Sequence, residues 1–454
     1  MGHSFGVAVF KINGNNATIF SQIDEMHREN LPHYRTQTTF GFSALREHKK
    51  RYFRKAFKTR ATDSRKIPVK PPKHILPIIV IAQFFCTSLW FAGNGVLNSL
   101  LAEKGITISV GTVTASVQFG FIIGTLLFAM LTITDRFSPS KVFLVCAVLG
   151  ALCNLGVVWK TSGSELLLAS RFTTGFFLAG IYPVGMKIAA DYFDKGLGKS
   201  LGYLVGALVV GTALPHFLKW LTALFPWQYV IFSTSFLALV GGMLMVFLVP
   251  DGPFRKSSQH LDLMACFSIF KKQDFRIAAF GYFGHMWELY TFWAFVPILL
   301  GLFTELHRIP ELSISFWSFC IIAIGGLACV LGGYISQNIG VKRTARSALL
   351  LSGLCCLLSP LVLFYAPLHL FLIFLLFWGM VVIMDSPLFS TLVAQSAPQT
   401  IKGTALTITN CIGFAITIVS LQLIQLLQGM VPDVFLFMVL AFGPLFGLLG
   451  LFRK

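Results

Sequence analysis

Twelve stretches of mostly apolar residues follow one another between positions 75 and 452, and short polar segments separate them. Each stretch reaches about 20 residues, the length at which an α-helix crosses the hydrocarbon core of a bilayer. The pattern therefore predicts an all-α membrane protein with twelve transmembrane helices. The expected spans are 75–100, 110–133, 141–160, 164–190, 199–221, 227–250, 277–302, 312–336, 345–366, 368–393, 403–428 and 432–452.

The composition supports a membrane protein and argues against an enzyme. Hydrophobic residues make up 55% of the 454 positions and charged residues 12%, whereas the surface of a soluble domain needs more charge. The sequence offers no sizeable polar domain, no nucleophile paired with a base and no cluster of metal ligands. The nine Cys lack metal-binding spacing, so neither a metal nor a cofactor is expected.

Positive charge is concentrated before the first span. Residues 1–74 contain fifteen Lys and Arg against five Asp and Glu, within a net charge of +18 for the whole chain. A basic segment next to a membrane span is typical of a cytoplasmic tail that contacts anionic lipid, so no nucleic-acid partner is expected. Two other interpretations stay open, namely an Arg-rich transit peptide and an over-long gene start with Met26 as a later initiation residue.

The loops differ in charge on the two sides of the predicted membrane. Fifteen Lys and Arg lie in loops on the side of the basic tail, and three lie in loops on the other side. Because basic loops stay in the cytoplasm, both termini are predicted to be cytoplasmic. We expect an integral membrane protein of a bacterial inner (plasma) membrane.

The two halves of the chain resemble each other. The segment Trp90–Leu100 aligns with Tyr290–Leu300 at an offset of about 200 residues. Such a repeat in the same order, with an even number of spans in each half, implies two bundles related by an axis along the membrane normal. The predicted organisation is a six-helix bundle over 75–250, a cytoplasmic linker over 251–276 and a second six-helix bundle over 277–454.

Two loops and one helix carry the motifs of a known family. The loop after the second span, Leu131-Thr-Ile-Thr-Asp-Arg-Phe-Ser-Pro-Ser-Lys141, is similar to the Gly-x-x-x-Asp-Arg-x-Gly-Arg-Arg loop of the major facilitator superfamily. It keeps the acid and its Arg but not the glycines, whereas the matching loop Gly333–Arg343 keeps glycines and basic residues but lacks the acid. Arg171-Phe-Thr-Thr-Gly175 resembles the Arg-x-x-x-Gly element in the fourth helix of that family.

The resemblance covers about residues 75–452 and implies a secondary transporter whose two bundles rock around a central site. It also implies gating roles for the two loops, because a small residue lets helices close and an acid near a helix N-terminus can hold the inner side shut. The gating residues predicted in this way are Asp135, Arg136, Gly333, Gly340, Lys342 and Arg343.

Three ionisable side chains near the bilayer midplane are candidates for proton coupling. His285 and Glu288 lie three residues apart in the seventh span, so they share a helical face. An acid at the centre of a span costs about 2.5–3.5 kcal/mol, and it therefore needs a cavity, a partner or a proton. Asp385, just before Pro387 in the tenth span, is the second candidate. A His–Glu hydrogen bond that only fastens two helices is the alternative.

Other side chains are predicted to line the solute site. Arg171 places a charge within an apolar span, where it needs a partner or water. Polar groups and aromatic rings in other spans could face the same cavity, although helix bridging and lipid contact would explain them equally well. These further candidates are Asn94, Gln118, Asn410, Trp287, Tyr290 and Tyr182. Lys187, His216 and Lys219 lie nearer span ends, where snorkelling explains them.

The predicted function is secondary active transport of a small solute, coupled to protons, by alternating access of the two bundles. A uniporter or exchanger on the same fold and a membrane receptor without transport are the alternatives. The expected partners are a small-molecule solute, protons and membrane lipid, and the chain is expected to function as a monomer.

Overall fold

The computed structural model describes residues 72–159, 163–193, 197–255, 268–309, 311–398 and 401–452. The basic N-terminal tail lies outside these residues, apart from its last three positions. Most of the linker predicted over 251–276 lies outside them as well.

Within the described residues, twelve helical spans are long and apolar enough to cross a membrane, which confirms the prediction from hydropathy. Their helices, in chain order, are Ile75–Thr87 with Ala92–Lys104, Val110–Met130, Pro139–Leu155, Ser164–Leu178 with Tyr182–Tyr192, Leu197–Leu221, Gln228–Leu248, Gln273–His307, Ile314–Ile339, Val341–Tyr365, Leu368–Met384 with Ser386–Ser396, Lys402–Leu427, and Asp433–Leu436 with Phe442–Phe452.

The fourth and tenth spans are interrupted at related positions. In each, a second helix begins with a proline in its first turn, Pro183 after the break in the fourth span and Pro387 after Asp385 in the tenth. Proline is tolerated there because the missing N–H would have no helical partner. The fourth and tenth spans therefore bend at related positions.

The first span is also interrupted, although its sequence contains no proline at that point. The break runs over 88–91, between the helices Ile75–Thr87 and Ala92–Lys104. The hydroxyl of Thr87 donates to the carbonyl oxygen of Gln83 at 2.9 Å, and that of Ser88 donates to the carbonyl oxygen of Phe85 at 2.6 Å. Such local hydrogen bonds compete with the helical ladder and favour an ending at this place.

Equivalent spans pack in the same way in the two halves, which gives two six-helix bundles. The first span contacts the fifth and sixth, and the seventh likewise contacts the eleventh and twelfth. The third span contacts the fourth and sixth, as the ninth contacts the tenth and twelfth. The seventh helix begins at Gln273, before the expected residue 277. The limits of the two bundles and of the linker otherwise stay a prediction.

Small residues allow close helix contacts at matching places in both bundles. A Cβ atom added to Gly175 in the fourth span would lie 1.9 Å from the carbonyl oxygen of Val117 in the second. A Cβ atom added to Gly379 in the tenth span would lie 2.0 Å from the carbonyl oxygen of Ile321 in the eighth. Glycine therefore fixes the spacing of the second and fourth spans, and of the eighth and tenth.

The two bundles meet along two pairs of spans. The fifth span packs against the eighth, and the second packs against the eleventh. Two smaller interfaces also join the bundles. One lies between the seventh and second spans, and the other between the second helix of the tenth span and the fifth span. Any site at the centre of the protein is therefore bounded by helices of both bundles.

Candidate functional site

Five buried aromatic rings meet where the two bundles touch, near the middle of the first, second, seventh and eleventh spans. Trp90 stacks on Tyr290 with ring centroids 5.6 Å apart, and Phe121 lies 4.7 Å from Phe414. Trp293 contacts Tyr290 edge-on at 5.2 Å. We call these residues the aromatic cluster. Because they come from both bundles, a change in the distance between the bundles must rearrange them.

Several polar atoms at this cluster lack hydrogen-bond partners. The indole Nε1 atoms of Trp90 and Trp293 are buried and donate to no described residue. Gln118, one helical turn before Phe121, has neither amide atom bonded to another described residue. A buried polar group without a partner costs about 1–3 kcal/mol, so such groups are expected where a ligand binds. The cluster thus combines stacking surfaces with free hydrogen-bonding groups.

The structure brings four of the predicted solute-site residues to this central region. Tyr290 belongs to the aromatic cluster and Gln118 lies beside it. Asn410 accepts a hydrogen bond at 2.6 Å from the hydroxyl of Tyr282, which links the eleventh and seventh spans. Tyr182, at the bend of the fourth span, lies close enough to Tyr282 and Tyr290 for electrostatic interaction.

Trp287 lies elsewhere. Its Nε1 donates to the carbonyl oxygen of Val439 at 3.4 Å, and its side chain packs beside Gly443 in the twelfth span. The ring therefore faces the interior of the second bundle and does not reach the aromatic cluster. Helical spacing put Trp287 and Tyr290 on nearby faces, but it could not show that these faces meet different neighbours.

Arg171 lies within the first bundle and is 0% exposed. Its guanidinium donates to the carbonyl oxygen of Leu89 at 3.3 Å and to Oδ1 of Asn154 at 2.9 Å. Asn154 in turn donates to Thr234 at 3.2 Å and to Ser235 at 2.9 Å. Because Leu89 belongs to the break in the first span and precedes Trp90, Arg171 holds the segment that carries this ring. These bonds suit a positioning residue better than a direct solute ligand.

His285 pairs with Asp385 rather than with Glu288. Its Nδ1 lies 2.8 Å from Oδ1 of Asp385, and both side chains are 1% exposed. Asp385 occupies the break between the two helices of the tenth span. The other imidazole nitrogen of His285 and both carboxylate oxygens of Asp385 make no hydrogen bond to a described residue, so the 2.8 Å contact is an ion-pair contact. A titratable pair thus joins two spans of the second bundle.

Glu288 is held by three donors of its own. Its Oε1 accepts from the hydroxyl of Ser352 at 2.5 Å, from Nε1 of Trp378 at 2.7 Å and from the thiol of Cys356 at 3.3 Å. These donors belong to the ninth and tenth spans, so the carboxyl faces the interior of the second bundle. Glu288 and His285 therefore have two separate sets of contacts, and the alternative of a hydrogen bond between them is not found.

A cavity of about 450 Å³ opens between the bundles, on the side that the charge pattern predicts to be external. Asn94 and Pro297, four residues beyond Trp90 and Trp293, are among its lining residues, so it begins about one helical turn from the aromatic cluster. Nδ2 of Asn94 donates to Thr114 at 2.7 Å, while its Oδ1 has no described partner. We call this space the outer cavity.

At the opposite end of the first bundle, Asp135 forms an ion pair with Lys187 of the fourth span. The snorkelling expected for Lys187 is therefore wrong, because its ammonium group has a carboxylate partner. Nearby, the guanidinium of Arg255 donates to the carbonyl oxygens of Asp135 at 3.1 Å and Phe137 at 2.7 Å. These contacts tie the chain after the sixth span to the loop between the second and third. Arg136 is exposed.

The matching loop of the second bundle is more open. A Cβ atom added to Gly333 would meet no atom within 4 Å, whereas one added to Gly332 would lie 2.7 Å from Cγ of Met384. The close helix approach expected at Gly333 is therefore found at Gly332. Gly340 adopts φ +92° between the eighth and ninth helices, a conformation that favours glycine. Lys342 and Arg343 follow it and are exposed.

Comparisons with known proteins agree with this architecture. A proton:xylose symporter of the major facilitator superfamily, XylE, solved with 6-bromo-6-deoxy-D-glucose, superposes with a TM-score of 0.64. The match covers 83% of this chain and 94% of that one at 16% identity, which shows a shared fold. A gallate transporter of Pseudomonas putida is 27% identical over 132 residues, or 26% of this chain and 29% of that protein.

The family model of the Major Facilitator Superfamily matches residues 79–421, which is more than half of the chain. That range runs from the first span to the eleventh and includes both repeated loops. Twelve spans, two bundles with equivalent packing and this match lead to one conclusion. The chain belongs to the major facilitator superfamily and is an integral membrane transporter.

Proposed function

We propose that the chain is a proton-coupled secondary transporter of a small planar organic solute, which binds at the aromatic cluster between the two bundles. The observation that carries the proposal is the combination of five rings from both bundles with unpartnered Nε1 atoms on Trp90 and Trp293. A flat ring can stack between such residues while its oxygen atoms accept hydrogen bonds from the indoles.

Two relatives support the solute class and the coupling. The gallate transporter is named for a hydroxylated aromatic acid, and XylE is a proton:xylose symporter. The gallate transporter is similar in sequence to about a quarter of this chain, and XylE has the same fold. An aromatic solute agrees with the rings at the centre of the site, and a proton agrees with the titratable groups beside it.

The proposed proton site is the pair His285 and Asp385. With the proton on the imidazole and the carboxyl ionised, opposite charges hold the seventh and tenth spans together at 2.8 Å. A second proton on Asp385 removes that attraction. Because the pair lies at the break of the tenth span, protonation can change how this helix packs. Glu288, whose Oε1 already accepts three hydrogen bonds, is proposed as the secondary candidate.

The test is uptake of radiolabelled gallate into proteoliposomes, with and without an imposed pH gradient. We expect uphill accumulation only with the gradient. The variant W90L should lose most of the uptake because a stacking ring and an indole donor are removed. The matched control is W220L, since Trp220 is 42% exposed and lies outside the aromatic cluster.

Other outcomes distinguish the alternatives. Uptake that equilibrates but never exceeds the external concentration, with or without a gradient, would indicate a uniporter. Gallate uptake that requires solute on the other side would indicate an exchanger. Binding of gallate without any flux would indicate a receptor, and absence of both binding and flux would contradict the proposed solute class.

A further inference from the structure

The outer cavity has basic groups in its depth and acidic groups at its rim. His216 and Lys219, both in the fifth span, line it together with Glu305 and Asp433, and these four are all the titratable residues of its lining. His216 is 3% exposed and Lys219 is half-buried, whereas Glu305 and Asp433 are exposed. Solvent and salt screen the two exposed carboxylates more strongly than the half-buried ammonium group of Lys219.

Neither basic group bonds through its side chain to a described residue. Nε2 of His216 is buried and has no hydrogen-bond partner, and Lys219 forms no ion pair with any residue that the structure describes. Close packing fixes the fifth span next to His216. A Cβ atom added to Gly95 of the first span would lie 3.0 Å from Cβ of Pro215, the residue before His216. Lys219 and His216 thus offer the cavity hydrogen-bond donors that no described residue accepts.

A carboxylate matches these donors. It offers oxygen acceptors for the ammonium group of Lys219 and for the imidazole of His216, and charge-assisted hydrogen bonds of this kind are about twice as strong as neutral ones. A cationic ligand would instead meet Lys219 at short range. Asn94, whose Oδ1 is unpartnered, adds an acceptor that suits a hydroxyl group on the same molecule.

We propose that the outer cavity is a recognition site for the carboxylate of the transported solute, with Lys219 and His216 as its ligands. This inference rests on the proposed function and narrows its solute class to ring-bearing carboxylates. The acid first binds in the outer cavity, about one helical turn from Trp90, and its ring then reaches the aromatic cluster when the bundles rearrange.

The test compares gallate with methyl gallate, which keeps the ring and hydroxyl groups but has no ionised carboxyl at neutral pH. Binding of each to the purified full-length protein is measured by titration calorimetry, for the wild type, K219Q and H216Q. The matched control is K104Q, because Lys104 is a basic residue at the same membrane side that does not line the cavity. Thermal unfolding of each variant establishes that it is folded.

We expect the wild type to bind gallate about tenfold or more tightly than methyl gallate, and K219Q to abolish most of this preference. H216Q should reduce it to a smaller extent, because a Gln amide can still donate a hydrogen bond. K104Q should retain the preference.

Carboxylate recognition would be contradicted if the wild type bound gallate and methyl gallate equally, or if K219Q kept the preference for gallate. Neither result would contradict solute binding at the aromatic cluster. If the wild type bound neither compound, both the proposed solute class and this inference would be contradicted.

Discussion

Oδ1 of Asp385 lies 2.8 Å from Nδ1 of His285, and this contact joins the seventh span to the tenth where the tenth is interrupted. An ion pair in a region without water depends on the protonation of both partners. In the proposed mechanism a proton added to this pair weakens the attraction between the two side chains. A change of protonation would then act on the packing of the seventh and tenth spans.

We predict that D385N abolishes uphill accumulation but preserves exchange of solute across the membrane. The Asn side chain keeps the shape of the carboxyl but cannot take up or release a proton, whereas exchange needs no net proton movement. Uptake driven by a pH gradient and counterflow without one are measured in the same proteoliposomes. D274N, at the exposed start of the seventh helix, serves as the control. Accumulation by D385N at the wild-type rate would transfer the coupling role to Glu288 or remove it.

We predict that Glu288 contributes strongly to stability. E288A leaves the hydroxyl of Ser352, the indole of Trp378 and the thiol of Cys356 without their acceptor, at a cost of about 1–3 kcal/mol for each buried group. In E288Q the amide oxygen can still accept, so the loss should be smaller. Thermal unfolding in detergent gives the comparison. Equal midpoints for E288A and E288Q would contradict this account, and loss of accumulation in a well-folded E288Q would make Glu288 part of the coupling machinery.

We predict that G175A and G379A prevent correct folding, because the added methyl group would lie about 2 Å from a carbonyl oxygen of the neighbouring helix. The control is G333A, which has open space around its Cβ position and should stabilise the helix by about 0.5–1 kcal/mol. Size-exclusion profiles and thermal unfolding of the three variants are compared. A G175A protein as stable as the wild type would show that the second and fourth spans can separate freely.

We predict that both termini face the cytoplasm, from the excess of Lys and Arg in alternate loops. Cysteine introduced at position 308, between the seventh and eighth helices, should react with a membrane-impermeant maleimide added to intact cells. Cysteine at position 272, just before the seventh helix, should react only after the membrane is opened. The reverse pattern of labelling would invert the topology and would place the outer cavity on the inside.

The spans could be predicted because hydrophobic length is a one-dimensional property of the chain, and a helix must satisfy its own backbone within the bilayer. The contact between His285 and Asp385 could not be predicted in this way. Helical spacing favoured Glu288, three residues away, but the partner comes from a span about one hundred residues further along. Only the packing of the seventh span against the tenth selects it.

Lys187 and Asp135 illustrate the same limit. From the sequence, Lys187 is explained by snorkelling near the end of a span, and Asp135 is predicted as a gating residue of the loop after the second span. Nothing in the sequence joins the two. The fourth span brings Lys187 onto the loop after the second, and an ion pair results. The break in the first span, by contrast, has a signal in the local sequence. Thr87 and Ser88 together provide hydroxyl groups that compete with the helical hydrogen bonds.

Besides the pair His285 and Asp385, the acidic and basic side chains that are 1% exposed or less among the described residues are Arg171 in the first bundle and Glu288 in the second. The hydrogen bonds that the structure gives Arg171 stay within the first bundle, and those of Glu288 stay within the second. When the bundles rock, both charges travel with their own surroundings and cross little of the electric field of the membrane. The work that the membrane potential does on them is therefore small, since it scales with the charge moved through the field. The return of the empty transporter should then depend only weakly on membrane voltage.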